Sequence, residues 1–172
     1  MNNTVMSEQM LNVLTDHVSY IEKEKEAIIK SFYADNAGAG MDIEAFFRDY
    51  TAAVSSYIDT VRTGKADAAK NPPAIIGSTV EVLDTAEQEK FSYQIVLPLA
   101  KKAGSDMSHA SCLSPLGRAL LMKSAGSRVS IQTPAGLLDY EIVHIKLPEH
   151  DSNDKTEKSR THLHPSASAV TV

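Results

Sequence analysis

The chain has one cysteine, Cys112, and no tryptophan, and only 6% of its residues are aromatic. A single thiol excludes an intrachain disulfide and a multi-thiolate metal centre. No run of about 18 apolar residues is present, so no transmembrane helix is expected. Residues 1–7 lack a basic stretch followed by an apolar core, so no secretory leader is expected and the cytoplasm is the natural compartment. Basic excess is missing too. The formal net charge is −5 over 172 residues, which argues against a broad, sequence-independent grip on nucleic acid. The acidity is concentrated: residues 1–70 hold 11 Asp/Glu against 7 Lys/Arg, whereas residues 71–148 hold 7 of each.

What is present is two hydrophobic seams. Leu11, Leu14, Val18, Ile21, Lys25, Ile28 and Phe32 recur at alternating steps of three and four, within a stretch from 5 to 33 that contains neither Gly nor Pro. That spacing predicts one long helix with a single polar break at Lys25. A Gly- and Asn-containing turn covers 34–42. Ile43, Phe47, Tyr50, Val54, Tyr57 and Val61 then form a second seam, with Gly64 as its stop. Two such helices joined by a short loop must pair antiparallel, because neither can bury its stripe alone. About 28 residues at about 1.5 Å each make a rod of roughly 40 Å. The expectation is an antiparallel finger over 1–70, projecting from a β-rich body, with the 34–42 loop at its far tip.

The polar, Ala-rich stretch 65–73 ends in Pro72-Pro73 and marks a domain boundary. Beyond it the period changes to two. Residues 79–83 and 90–96 read as strands around a turn at 84–89, and 107–111 as a further short strand. Ser114 and Pro115 supply an N-cap and a first-turn proline for a short helix over 114–121. Residues 128–132 and 139–145 form a hairpin across Pro134-Ala135-Gly136. The class is α+β, with an antiparallel sheet over 74–148. Residues 149–172 are polar without an apolar period and read as a disordered tail.

Few residues suggest chemistry. His162 and His164 lie in the tail with His150 and lack a carboxylate or thiolate shell. His17 and His109 read as solvated, and His144 as a satisfied strand histidine. Cys112 beside Ser111 and Ser114 reads as packed. There is no phosphate-cradling Gly loop and no metal-ligand spacing on a helix. Asp35, Asp42 and Glu44 stand near the finger tip. As helix-terminus residues they read first as turn former, N-cap and first-turn acid.

The run Ser114-Pro115-Leu116-Gly117-Arg118-Ala119-Leu120-Leu121, then Val129-Ser130-Ile131-Gln132-Thr133-Pro134-Ala135-Gly136 and Tyr140-Glu141-Ile142, resembles the C-terminal domain of the bacterial Gre transcript-cleavage factors. Ile76-Gly77-Ser78-Thr79-Val80 looks like its opening strand. The similarity covers about residues 74–147. It implies an FKBP-like globular domain behind an antiparallel coiled coil. It also implies RNA polymerase as partner, with nascent RNA and DNA met only inside that complex, and no membrane role. By the same resemblance, the protein would be an accessory factor rather than an enzyme. Ser114, Pro115 and Arg118 would dock on the rim of the secondary channel. The tip acids Asp35, Asp42 and Glu44 would help hold a second Mg²⁺, shared with the polymerase active site through Asp42 and Glu44. The factor would carry no cofactor of its own. Hard oxygen ligands suit Mg²⁺, and two metals stabilise both the attacking and the leaving oxygen of a hydrolysis.

The loop from Asp35 to Glu44 keeps acids but not the family spacing Asp-x-x-Glu-Asn-x-Glu-Tyr, Leu113 precedes the Ser-Pro pair, and Met122 replaces a glycine. The alternative is therefore a Gre-like channel-binding regulator or inhibitor without cleavage activity. A prolyl isomerase or chaperone is a third reading, resting on Phe91, Tyr93 and Tyr140 alone. A dimerising coiled-coil adaptor is a fourth. The Gre reading predicts a monomer, since the two seams satisfy each other.

Overall fold

The computed structural model describes residues 2–35, 42–64, 70–98 and 108–149, with side chains from residue 8. The loop at 36–41, the connector at 65–69, Met107 and the tail with His150, His162 and His164 lie outside the described residues. Two helices lead: α1, Asn2–Asp35, and α2, Ile43–Arg62. Thr15 and Val18 share a groove with Ser55, Ile58 and Arg62. Lys25 and Lys30 share another with Glu44 and Arg48. The helices therefore run antiparallel, as the seams predict. Gly64, at φ +70°, takes the left-handed conformation that ends α2. Among the described residues no helix is long and apolar enough to cross a membrane.

The α2 seam is buried as expected at Ile43, Phe47, Tyr50, Val54 and Val61 and widened by Thr51 and Ile58, while Tyr57 is half-buried. The α1 stripe is rotated from the expected one. Met10, Leu14, His17, Ile21 and Ile28 are buried, while Leu11, Val18 and Phe32 are half-buried. The reason is that α1 has two neighbours. One face packs on α2 and another meets the sheet domain, so its apolar stripe is broader than a coiled-coil seam.

The remaining chain folds as β1 (Thr79–Asp84), β2 (Lys90–Val96), β3 (Ser108–Ser111), α3 (Pro115–Leu120), β4 (Arg128–Thr133) and β5 (Gly136–Lys146). The sheet order is β3-β2-β1-β5-β4. β1 pairs antiparallel with β2 (Val82 opposite Phe91) and with β5, where a bulge falls between Glu81 and Val82. β4 and β5 form the expected hairpin. The expected all-antiparallel sheet is corrected at one edge: β3 runs parallel to β2, Ile95 opposite Ala110. Alternating residues can show that a segment is a strand, but not the direction of its partner.

Val80 and Val82 of β1, Ile95 of β2, Val129 and Ile131 of β4, and Ile142 of β5 are buried together with Leu120 of α3. The same cluster continues into Tyr50 and Phe47, so helices and sheet share one core. At the turn after β1, the Asp84 carboxylate accepts from the amides of Ala86 (2.8 Å) and Glu87 (3.1 Å), an Asx turn over the expected residues.

Gly117 explains part of the Ser-Pro motif. A Cβ there would stand 1.9 Å from the Ser111 carbonyl oxygen, so α3 can sit on the end of β3 only with glycine at that position. Gly117→Ala is expected to cost about 3 kcal/mol, roughly 10 °C in Tm, although alanine is the better helix former. Thermal unfolding checks this; an unchanged or raised Tm would contradict the close approach.

Candidate functional site

Tyr50 is at the centre of the molecule. Its hydroxyl oxygen accepts from the backbone N–H of Ile76 at 2.9 Å and lies 2.7 Å from His17 Nε2. The amide donates to this oxygen, and the His17 ring nitrogen shares a second hydrogen bond with the same hydroxyl. Three segments therefore meet at one oxygen: α1 through His17, α2 through Tyr50, and the entry to β1 through Ile76. Burial pushes His17 down to about 4 and pushes the Tyr50 hydroxyl upward. Phe46 stacks parallel to Tyr50, ring centroids 6.3 Å apart, and the His17 ring meets Tyr50 edge-on at 5.9 Å.

Beside this joint, α2 and α3 face each other across an open cleft of about 810 Å³. Asp42, Ala45, Phe46, Asp49, Tyr50 and Ala53 form one wall. Arg118, Leu121 and Met122 form the other. From Asp42 to Ala53 is roughly 16 Å of helix. The first half of α2 thus runs along α3. The helices form the expected antiparallel pair, and the start of α2 lines the same cleft as Arg118, Leu121 and Met122.

The sites named from sequence fall as follows. Asp35 is the exposed last residue of α1. Asp42 is exposed and caps α2, its carboxylate accepting from the Ala45 amide at 2.9 Å. Glu44 is exposed in the first turn. Asp42 and Glu44 are two residues apart at a helix start, so they point to different faces. Asp42 lines the cleft with Arg118, whereas Glu44 lines the groove with Lys25 and Lys30. Among the described residues no three His, Cys, Asp or Glu side chains converge to hold a metal ion. Asp42 and Glu44 offer separate carboxylates rather than a ready-made Mg²⁺ site. Ser114 caps α3, accepting from the Gly117 amide at 3.1 Å and donating to the Ser111 carbonyl at 2.7 Å. Pro115 and Arg118 are exposed on that helix. The structure therefore places Asp42 and Arg118 on one cleft and Glu44 on a different groove.

Two histidines are corrected. His17, read as solvated, is buried and bonded. Its position three after Leu14 and four before Ile21, in line with Met10, was the available signal. His144, read as a satisfied strand histidine, is exposed. Cys112 is packed as expected: it is buried, and that burial pushes its thiol up to about 12, which leaves it unreactive. Phe91, Tyr93 and Tyr140 do meet, with centroids 6.3 to 6.4 Å apart. Burial, and then the hydrogen bond to Tyr93, raises the Tyr140 hydroxyl to about 12.

The C-terminal domain, with its Ser-Pro-capped α3 seated by Gly117, defines a class of protein that comparison with known proteins identifies. Residues 70–147 match the family model "Transcription elongation factor, GreA/GreB, C-term". The chain is 32% identical over 120 residues to transcription elongation factor GreA of Pseudomonas syringae pv. tomato, covering 67% of this chain and 69% of that one. It is 38% identical over 77 residues to GreA of Pelobacter propionicus, 45% of this chain and 48% of that one. The chain belongs to the GreA/GreB family of transcription elongation factors. With several of the curated relatives it matches, the shared region spans about half of their length. Among solved structures, Gfh1 of Thermus thermophilus overlays 81% of this chain and 92% of its own, at 21% identity and a TM-score of 0.40. A GreA/GreB factor from Nitrosomonas europaea overlays 51% and 79%, at 26% and 0.36.

The Tyr50 joint makes stability depend on pH. Folded His17 titrates near 4 and the unfolded side chain near 6.5, so the unfolded state binds the extra proton. This contribution is full above pH 6.5 and is lost as pH falls from there toward 4, by at most about 3 kcal/mol. His17→Gln, which keeps an acceptor for Tyr50 but cannot titrate, is expected to flatten that part of the profile. Denaturant titrations at pH 7.5, 6 and 5 read the difference; identical slopes for both proteins would contradict the neutral, buried His17.

Proposed function

We propose that this chain binds RNA polymerase and acts during elongation at the secondary channel. The C-terminal domain docks through the α3 surface of Ser114, Pro115 and Arg118. The acid-bearing end of the helical pair, with Asp35, Asp42 and Glu44, enters the channel. There the acids help retain a second Mg²⁺ at the polymerase active site and stimulate hydrolysis of backtracked transcript. The factor is accessory: the bond is cut by the polymerase. What supports this reading is the match of residues 70–147 to the GreA/GreB C-terminal domain, on a chain whose α3 leaves Pro115 and Arg118 exposed.

A second reading keeps the docking and drops the cleavage, so that the protein occupies the channel as a regulator or inhibitor. It is favoured by one observation: Asp42 and Glu44 line different grooves, and one Asp42 oxygen is already used to cap α2. Two carboxylates that diverge in this way are poorly placed to share one cation.

Stalled bacterial elongation complexes separate the two. Under the first reading, added protein accelerates transcript shortening in Mg²⁺, and combined Asp42→Asn and Glu44→Gln removes at least 90% of that acceleration, on the scale of one lost charge-stabilising group. No acceleration, together with competitive loss of cleavage driven by an authentic Gre factor, supports the second. Neither acceleration nor competition contradicts both.

A further inference from the structure

The chain leaves α3 through a turn that suits glycine and carries methionine. Leu121 has φ −58° and ψ 136°, Met122 has φ +60°, and the Lys123 amide donates to the Leu120 carbonyl at 3.2 Å. These are the marks of a type II turn over 120–123, whose third residue must take a positive φ. Glycine does so freely, whereas any residue with a Cβ is strained there against the carbonyl that follows. The turn cannot relax. The Met122 amide donates to the Ala74 carbonyl at 2.8 Å, and the Ala74 amide donates to the Lys123 carbonyl at 2.9 Å, so the turn is bonded twice to a buried residue. Gln88 also has a positive φ, but its side-chain amide donates to the Thr85 carbonyl at 2.9 Å, which gives that residue a local role in its own turn. The thioether of Met122 can make no such bond. Nor does burial account for it in full. Met122 is half-buried, packed on one side against the core and on the other lining the cleft with Leu121 and Arg118. A half-buried side chain recovers only part of the stabilisation of a buried one.

Strain that a fold retains at one residue points to a use for that side chain. We propose that Met122 is an affinity-determining contact of the α3 docking surface, its thioether arm meeting an apolar side chain of RNA polymerase beside Arg118. The inference rests on the docking reading above and deepens it. Pro115 and Arg118 are exposed on α3, and Met122 carries the same surface past the end of the helix, next to Leu121. An unbranched, polarisable side chain adapts to the shape of a partner better than a branched one. The neighbouring guanidinium sets the rest of the chemistry. The polymerase surface that fits offers an apolar side chain flanked by a carboxylate, which Arg118 can hold through paired hydrogen bonds. A few apolar anchors with charge at the rim commonly carry most of the affinity of an interface. The methionine thus lowers the stability of the free protein and strengthens its complex.

Two variants of the full chain separate the contact from the fold. Met122→Gly removes both the strain and the side chain. Met122→Leu keeps the strain and the apolar bulk. Thermal unfolding reads stability, and binding to immobilised bacterial core RNA polymerase, well below the unfolding midpoint, reads affinity. The expected result is that Met122→Gly unfolds no lower than the parent yet binds polymerase roughly tenfold more weakly, while Met122→Leu stays close to the parent in affinity. A Met122→Gly protein that binds as tightly as the parent would overturn the inference and leave the docking reading intact. A Met122→Gly protein that unfolds well below the parent would also overturn it, since packing on the core would then account for the methionine. So would a Met122→Leu protein as weak as the glycine variant, because apolar bulk would then not be what polymerase meets. If the parent itself does not bind polymerase, the docking reading fails, and the inference with it.

Discussion

One oxygen atom organises this molecule. Without the Tyr50 hydroxyl, the Ile76 amide and the His17 ring nitrogen would both be buried with nothing to bond. With it, the two helices and the first strand of the sheet domain are fixed at one point, and the buried side chains of both parts merge into a single cluster. The geometry then follows. The antiparallel pair cannot leave the sheet end-on, because its middle is tied down. The start of α2 and the end of α3 line one open cleft. A tyrosine suits this role because it is long enough to cross from a helix to a neighbouring backbone and because its hydroxyl can accept and donate at once.

Most of the elements were legible from local pattern. Alternating steps of three and four located both helices, Gly64 located the end of α2, and Ser114 followed by Pro115 located α3. The hairpin was marked by the proline-glycine turn between its strands. What local pattern does not carry is which surfaces meet. The α1 stripe was read as Leu11, Val18 and Phe32 beside Leu14 and Ile21, as if α2 were its sole neighbour; the sheet domain rotates the buried face toward Met10 and His17. β3 was expected to continue an antiparallel sheet, and its parallel pairing with β2 depends on a crossover that no alternation pattern records. The candidate site was legible in its parts and not in their arrangement. Asp42 was recognisable as a cap and Arg118 as a surface residue, but nothing in their sequence separation of more than seventy residues places them on one cleft.

The charges of the helical pair are unevenly placed. Several of the described acids stand in exposed pairs, such as Lys25–Glu22 and Arg128–Glu141, which contribute little to stability. Their placement is free to answer to function. Glu44 with Lys25 and Lys30 on one face, and Asp42 and Asp49 toward α3 on the other, give the helical pair two electrostatically distinct sides. Against these stands a C-terminal domain whose α3 is fixed by the Ser114 cap and the crowded Gly117 seat. Family membership resides mainly in that half, where residues 70–147 match.

The account is tested most directly by nuclear magnetic resonance of the free protein in neutral solution. If the helical pair is tied to the sheet domain by the Tyr50 joint, the Tyr50 ring will show through-space contacts to the Ile76 amide and the His17 ring. That amide will also exchange with solvent orders of magnitude more slowly than an exposed one. A rapidly exchanging Ile76 amide with no contact to Tyr50 would contradict it.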